Sequence, residues 1–395
     1  MNKLNKLILV LLAILFANCS SKETEVESYF GFSIPKNTLN SYLESKMREF
    51  NIPGLAIAII NKGEVVYRIN FGYANLEQKI PVTDTTIFEG ASMSKSVFGF
   101  FVMKYVEEGK LDLDKPLHEY LPYPDIAYDD RYKKITARMV LSHRSGFPNW
   151  RENEPDKKLR IKFEPGTDYL YSGEGYQYLA MVLKHIENTD WAGLEVAFQD
   201  KIAQPLGMEH TVFIQTPFTT KYKAEPYDEN GKWIDWKKDY WNNKEEGVFG
   251  AAFSIHSEPL DFSKWMIGVM KEELLSKESY HELLKPHSNV PTDDLDISYT
   301  LGFMKFPFIF TNTYGHGGNN EGFTSFFTLN TTKDWGYVLF TNSEYGEKLG
   351  EDLFFYLLLG PYLTIPYIIR GIIKLIILAG IGILIKFIIL KLAWI

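Results

Sequence analysis

Phe88-Glu89-Gly90-Ala91-Ser92-Met93-Ser94-Lys95-Ser96-Val97-Phe98-Gly99 decides the reading of this chain. Ser92 and Lys95 stand three apart ahead of an apolar run at 97–102, so a helix beginning near Ala91 would carry both on one face. A hydroxyl then lies beside an amine. Packing against an apolar wall strips water from the amine and weakens its hold on a proton, which lets Lys95 take the proton of Ser92 as the hydroxyl attacks a carbonyl. The helix N-terminus would also aim free N–H groups at the developing oxyanion. The spacing alone is not specific. Ser33 and Lys36 repeat it, but Pro35 interrupts them and Lys36 precedes the helix-cap candidate Asn37. On spacing, a polar helix start accounts for Ser92 and Lys95 as well as a nucleophile does.

The two ends differ from the rest. The chain has 395 residues, 45% hydrophobic and 15% aromatic, enough for a large core in one big domain or two. Residues 1–18 open with Lys3 and Lys6 and run almost wholly apolar over 7–17, the two regions of an export signal, so they are set apart from the fold. Cys19, the only cysteine, follows Leu15-Phe16-Ala17-Asn18, where such a signal is cut. This resembles a lipoprotein signal, in which that cysteine is acylated, although Asn18 is unusual at its position; a cysteine without a role is the other reading. Either way the domain has no internal disulfide. Residues 19–36 read as a tether. Over 368–395 the chain is mostly Ile, Leu, Gly and Phe, with no acidic residue, but Arg370, Lys374, Lys386 and Lys391 break it. Its longest uncharged run, 375–385, is shorter than the roughly 20 residues of a bilayer crossing. A crossing at 367–385, or at 375–395, needs its lysines to snorkel, and an interfacial helix is the alternative. Residues 361–395 are therefore assigned as a hydrophobic membrane segment.

The ends hold six basic and no acidic groups, which leaves 36 basic against 50 acidic groups in residues 19–369, a formal −14. Such a domain offers no basic stripe for nucleic acid. An exported, membrane-anchored domain facing the periplasm or the cell surface is the expectation.

Along the chain, 38–50 has the apolar spacing of an amphipathic helix. Strand-like runs at 55–60 and 65–71 flank the turn Asn61-Lys62-Gly63. The Ser92 helix continues to Glu108 and stops at Gly109. The middle, 117–245, is loop-rich, with helices expected at 136–142 and 176–187; strands are expected at 299–304, 324–330 and 335–341, and a helix at 347–359. Strands at both ends around a helical middle predict an α/β (α+β) fold, one antiparallel sheet completed by distant segments and flanked by helices.

Three further stretches join the first. Phe163-Glu164-Pro165-Gly166-Thr167-Asp168-Tyr169-Leu170-Tyr171-Ser172-Gly173 is a turn leading into a helix, and Tyr314-Gly315-His316-Gly317-Gly318-Asn319 shortly precedes a strand. Ile135-Thr136-Ala137-Arg138-Met139-Val140-Leu141-Ser142-His143-Arg144-Ser145-Gly146-Phe147 is a short helix with a glycine end. In order and spacing, over about residues 37–360, these resemble the serine hydrolases of the class C β-lactamase family, with its D-amino-acid peptidases and family VIII esterases. Pro205-Leu206-Gly207-Met208 and Val338-Leu339-Phe340-Thr341-Asn342 resemble it too.

The resemblance implies a β-lactamase/transpeptidase-like fold with no cofactor and a small acyl or peptide substrate. It implies that Ser92 is acylated while Lys95 and Tyr171 share its proton, and that the N–H groups of Ser92 and Asn319, the residue after Gly318, hold the oxyanion. His316 would bind or polarise the substrate. A phenol suits an amine partner, because a nearby ammonium lowers its pKa. Two departures bear on the substrate. The second motif, usually Tyr-x-Asn, reads Tyr171-Ser172-Gly173, and histidine stands where many β-lactamases have lysine. Both remove usual β-lactam contacts and favour an esterase or D-peptidase over an efficient β-lactamase. A penicillin-binding protein, or a binding module without turnover, is the alternative. The aromatic stretch 218–241 lines a lid or simply packs. His143 and Arg144 read as structural, no metal set is apparent among eight histidines, and the oligomeric state is left open.

Overall fold

Apolar runs distant in sequence pair edge to edge to make the main sheet. A computed structural model describes residues 25–235, 247–292, 296–308 and 311–360. In chain order the elements are β1 (Glu25–Glu27), β2 (Ser33–Pro35), α1 (Lys36–Glu49), β3 (Gly54–Asn61), β4 (Glu64–Asn75), β5 (Ile80–Pro81), β6 (Phe88–Ala91) and α2 (Ser94–Glu107). Then follow α3 (Ala137–Leu141), α4 (Gly173–Ile186), α5 (Trp191–Phe198), α6 (Pro217–Tyr222), β7 (Ile255–Ser257), α7 (Pro259–Met270) and α8 (Lys277–Leu284). The chain closes with β8 (Ser288–Asn289), β9 (Ser298–Tyr299), β10 (Met304–Phe306), β11 (Thr313–Asn320), β12 (Phe323–Asn330), β13 (Trp335–Thr341) and α9 (Gly346–Leu359).

The described residues divide into two compact units, residues 40–352 and residues 25–39 with 353–360. In the larger unit, nine antiparallel strands run in the order β5-β4-β3-β13-β12-β11-β10-β9-β8. The sheet therefore joins the first hairpin to the last strand, with Val338 opposite Ala58, as expected from strands at both ends. Every residue of β3 is buried, so its run reads apolar without alternation because both faces are covered. Helix α7 packs across β3, β4, β12 and β13. The segment between β5 and β8 supplies helices α2–α8 and the small pair β6–β7.

Two expectations change here. The run 299–304 is two strands, β9 and β10, because the Thr300 N–H donates to the Phe303 carbonyl at 2.8 Å and Gly302 turns at φ +108°. The glycine-rich stretch 314–319 shortly precedes strand β12, as expected, and is itself part of a strand, β11. In the smaller unit, residues 25–35 form a hairpin rather than the expected tether. Val26 pairs with Ile34, both fully buried, and each stands singly between polar or proline neighbours, Glu25 and Glu27 on one strand and Ser33 and Pro35 on the other. The export signal 1–18, Cys19 and the C-terminal segment 361–395 lie outside the described residues. Among the described residues, no helix is long and apolar enough to cross a membrane.

Helix α2 is the axis of the larger unit, buried continuously from Ser94 to Met103. Its rings Phe98 and Phe101 pack on Phe249, and Phe100 packs edge-on to Trp265. Burial of such side chains stabilises by roughly 1.5–3 kcal/mol each. Its first turns also touch backbone directly. A Cβ on Gly99 would lie 2.2 Å from the Leu301 carbonyl oxygen, one on Gly302 would lie 2.7 Å from that of Lys95, and Ser96 Oγ donates to the Gly302 carbonyl at 2.5 Å. The helix is thus locked onto the β9–β10 connection. Gly99→Ala should destabilise the protein by about 1–3 kcal/mol in chemical denaturation, since the clash exceeds the helix-propensity gain. An unchanged midpoint would show that the connection yields freely.

Candidate active site

Strand pairing decides how Ser92 is presented. Glu89 pairs with His256 and Ala91 with Ile255, which holds the backbone extended to Ala91, and Ala91 then turns at φ +45°. Helix α2 consequently begins at Ser94, not near Ala91, and Ser92 lies on the turn ahead of it. Ser94 Oγ closes that turn by donating to the Ala91 carbonyl at 2.5 Å and accepting from the Ile255 N–H at 2.9 Å. A non-glycine residue at positive φ is a strained feature of the kind that collects at functional sites.

Ser92 and Lys95 still meet. Lys95 Nζ lies 3.1 Å from Ser92 Oγ and donates to the Ala252 carbonyl at 2.8 Å. The amine is 1% exposed and sits 4.5 Å from the centre of the Tyr171 ring and 5.7 Å from that of Tyr176. Burial pushes the Lys95 pKa well below the ordinary lysine value. Burial pushes the Tyr171 phenol up, opposed by a hydrogen bond with the Ser92 side chain. The phenol is therefore raised rather than lowered as expected, because burial disfavours its charged form. Both shifts favour the uncharged groups, the free amine of Lys95 and the protonated phenol of Tyr171. Ser92 and Tyr171 are both partly open to solvent.

The third motif comes close behind Ser92. A Cβ on Gly318 would lie 2.2 Å from the Gly90 carbonyl oxygen and 3.0 Å from the Ser92 nitrogen, so only glycine lets β11 approach the nucleophile turn this closely. Ser325 Oγ, opposite Gly318 on β12, donates to the same Gly90 carbonyl at 2.8 Å. Asn319 is exposed one residue further on.

His316 departs from its expected position at the substrate. It is 2% exposed, and both ring nitrogens are engaged: Nδ1 donates to the Gly317 carbonyl at 2.5 Å, which leaves Nε2 to accept from the Tyr299 hydroxyl at 2.9 Å. Burial, assisted by Lys95, brings its pKa down to about 3, so the ring is neutral. It braces the aromatic wall behind Lys95. His143 belongs to the same wall. Its ring centre is 4.3 Å from that of Tyr171 and 4.5 Å from that of Tyr299, and its Nδ1 accepts from the Ser172 N–H at 3.1 Å. The structural reading of His143 thus gains a purpose, since it holds the Tyr171 segment in place. Arg144 bonds the Gly166 carbonyl.

Residues the sequence reading passed over complete the surroundings. Glu89 is buried and ion-paired with Lys223, and it accepts from Asn320 Nδ2, which ties β6, β11 and the segment after α6 together. Burial opposes its charge most strongly, but Lys223, His256 and Asn320 together outweigh that and hold the carboxyl below the usual range. A carboxylate inside an apolar strand is the one signal that could have flagged it. The Trp150 indole fills the side-chain space of Gly173. Of the aromatic stretch 218–241, Tyr227 packs inside and donates to Glu77 at 2.6 Å, Tyr222 and Trp233 are exposed, and Trp236, Tyr240 and Trp241 lie outside the described residues.

Among the described residues, His210, Glu258 and Asp261 bring ligating atoms within 4.8 Å of one another. Their carboxylates are already occupied. Glu258 caps α7 through the Leu260 and Asp261 N–H groups, and Asp261 accepts from His210 and Thr211 N–H groups.

Comparison with known proteins identifies the family and the fold. The family model described as Beta-lactamase matches residues 39–360. Protein flp of Staphylococcus aureus (strain MW2) is 26% identical over 341 residues, which is 80% of this chain but 65% of that protein, so the chain spans just under two thirds of its length. The octameric penicillin-binding protein homologue from Pyrococcus abyssi superposes with a TM-score of 0.66 at 24% identity, over 80% of this chain and 77% of that one. D-amino acid amidase from Ochrobactrum anthropi SV3 gives 0.62 at 22%, over 77% and 91%. These structural likenesses are likenesses of fold.

Reaction of Ser92 with a fluorophosphonate requires the uncharged form of Lys95. Its rate should rise with pH through the depressed Lys95 pKa and level off well below pH 10.5, the ordinary lysine value. Lys95→Arg, which stays charged, should react about 10²–10⁴-fold more slowly at every pH up to 11. An acid limb that appears only near pH 10 would show that the amine is not desolvated.

Proposed function

The chain belongs to the β-lactamase family of serine hydrolases, and from that footing we propose that it works through an acyl-enzyme on a small ester, amide or D-peptide substrate. The observation that carries this reading is the buried Lys95 amine 3.1 Å from the hydroxyl of Ser92. Ser92 Oγ attacks the substrate carbonyl as its proton passes to Lys95. The oxyanion is held by the N–H groups of Ser92 and Asn319. The leaving group takes a proton from Tyr171, which recovers one from the Lys95 ammonium beside it. Water then attacks the acyl-enzyme while the same groups run in reverse, and Ser92 Oγ leaves with a proton.

Gly173 and the fully bonded His316 support an ester, amide or D-peptide over a β-lactam, since neither offers a side chain for the lactam amide or carboxylate. The name of the D-amino acid amidase neighbour agrees with an acyl amide of that kind. The complete set of Ser92, Lys95 and Tyr171 weighs against a binding module without turnover. Export and anchoring are part of the proposal, supported by the basic and apolar opening, Cys19 and the apolar 361–395.

Mass spectrometry should find a fluorophosphonate adduct on Ser92, and Ser92→Ala should lose it. Labelling that persists in Ser92→Ala would overturn the assignment. For the anchors, Cys19→Ser and a chain ending at Tyr362 should each need less detergent for extraction from membranes, and the combination least of all. Release of the unaltered chain by salt alone would refute anchoring.

A further inference from the structure

The place of the missing motif asparagine is filled by a ring from another segment. A Cβ on Gly173 would lie 2.4–2.7 Å from three atoms of the Trp150 indole, so the glycine and the tryptophan are two halves of one arrangement. Trp150 is held there on both sides. Ser172 Oγ donates to the Pro148 carbonyl at 2.9 Å, and the Gly173 and Glu174 N–H groups both donate to the Asn149 carbonyl at 3.0 Å. Arg151 then grips Glu174 with a two-pronged ion pair, Nε to Oε1 at 2.8 Å and the Nη2 nitrogen to Oε2 at 2.8 Å. The nearby Asn149 amide turns its oxygen to the Gly173 N–H at 3.0 Å.

The indole meets Phe253 edge to face, with ring centres 5.6 Å apart at 85°. Phe253 follows Ala252, whose carbonyl holds Lys95, and its own carbonyl accepts from Asn320 at 3.3 Å. The two rings thus bridge the segments that carry Tyr171 and the Lys95 anchor. Both rings are partly exposed, like Ser92 and Tyr171, while Gly173 and Ala252 beneath them are buried. An amide-bearing side chain at Gly173 would recognise an acyl group by hydrogen bonds. An indole edge with a phenyl neighbour recognises it by apolar area and ring geometry.

We infer that Trp150, with Phe253, sets acyl specificity, and that the site takes acyl groups ending in an aromatic ring with no amide beside the scissile carbonyl. The inference rests on the serine-hydrolase reading and narrows it to esters and simple amides, since an N-acylated D-peptide carries an amide beside its scissile carbonyl. The test compares kcat/KM of the full chain for p-nitrophenyl phenylacetate, p-nitrophenyl acetate and the p-nitrophenyl ester of N-acetylglycine. Phenylacetate should exceed both others by about tenfold or more. Trp150→Ala should cut the phenylacetate-to-acetate ratio by about tenfold, Trp150→Leu by nearly as much, and Trp150→Phe by no more than about threefold. A ratio indifferent to all three substitutions, or equal losses on both esters, would overturn the inference and leave Trp150 a packing residue. A preference for the N-acetylglycine ester would overturn it too. If Ser92 takes no fluorophosphonate label, the serine-hydrolase reading fails, and this inference with it.

Discussion

Desolvation of one amine organises this molecule. Lys95 can be uncharged only because α2 is buried on all sides, and α2 can be buried on all sides only because the sheet, α4 and the residues around Phe249 close over it. The amine's few polar contacts are then worth more than they would be in water, since the local dielectric is low and there is no solvent to compete. An unpaired buried ammonium would cost several kcal/mol, and loss of the proton avoids most of that cost. The same burial raises the Tyr171 phenol and silences His143 and His316 as acids. One environment thus assigns the proton-accepting and proton-donating roles.

Precision around the amine comes from backbone contacts that tolerate no side chain. Gly99 against Leu301, Gly302 against Lys95 and Gly318 against Gly90 bring strand and loop backbone onto the nucleophile helix and its turn. Each fixes a distance more sharply than an apolar contact could, because a carbonyl oxygen is a hard neighbour and interiors are close-packed. The strained Ala91 turn is held by this frame, by Ser94 and by Ile255. The buried Glu89–Lys223 pair joins the same frame from the other side, where breaking one partner would strand a charge.

Some of this was legible in advance and some was not. The hairpin β3–β4, strands β12 and β13 and the helices around 36–49 and 346–359 follow from strand-length apolar runs and 3.6-residue patterns, because each run is buried along its length and each helix has one apolar face. The split of 299–304 into two strands was hidden, since Gly302 turns to meet α2, a partner two hundred residues away. The hairpin in 25–35 was hidden because one buried pair, Val26 and Ile34, stands between polar or proline neighbours. The helix start was misplaced by three residues because strand pairing with Ile255 outweighed the local helix signal. His316 was misread for a related reason: a motif position names a residue, while the hydrogen bonds that occupy its nitrogens come from Tyr299 and Gly317 in three dimensions.

Sequence alone carries the proposed reaction chemistry. Ser92, Lys95 and Tyr171 in their motifs, with the glycines of 315–318, carry the acyl-transfer reading without coordinates, because hydroxyl, amine, phenol and flexible backbone are properties of residue types. Tertiary structure decided which of those groups holds a proton and what lies beside the acyl group. Charge state depends on how much water reaches an atom, and the space at Gly173 depends on an indole from a separate segment; neither is a local property of the chain. Ser92 and Lys95 could be paired by spacing. Only the fold could place Trp150 where an asparagine was expected.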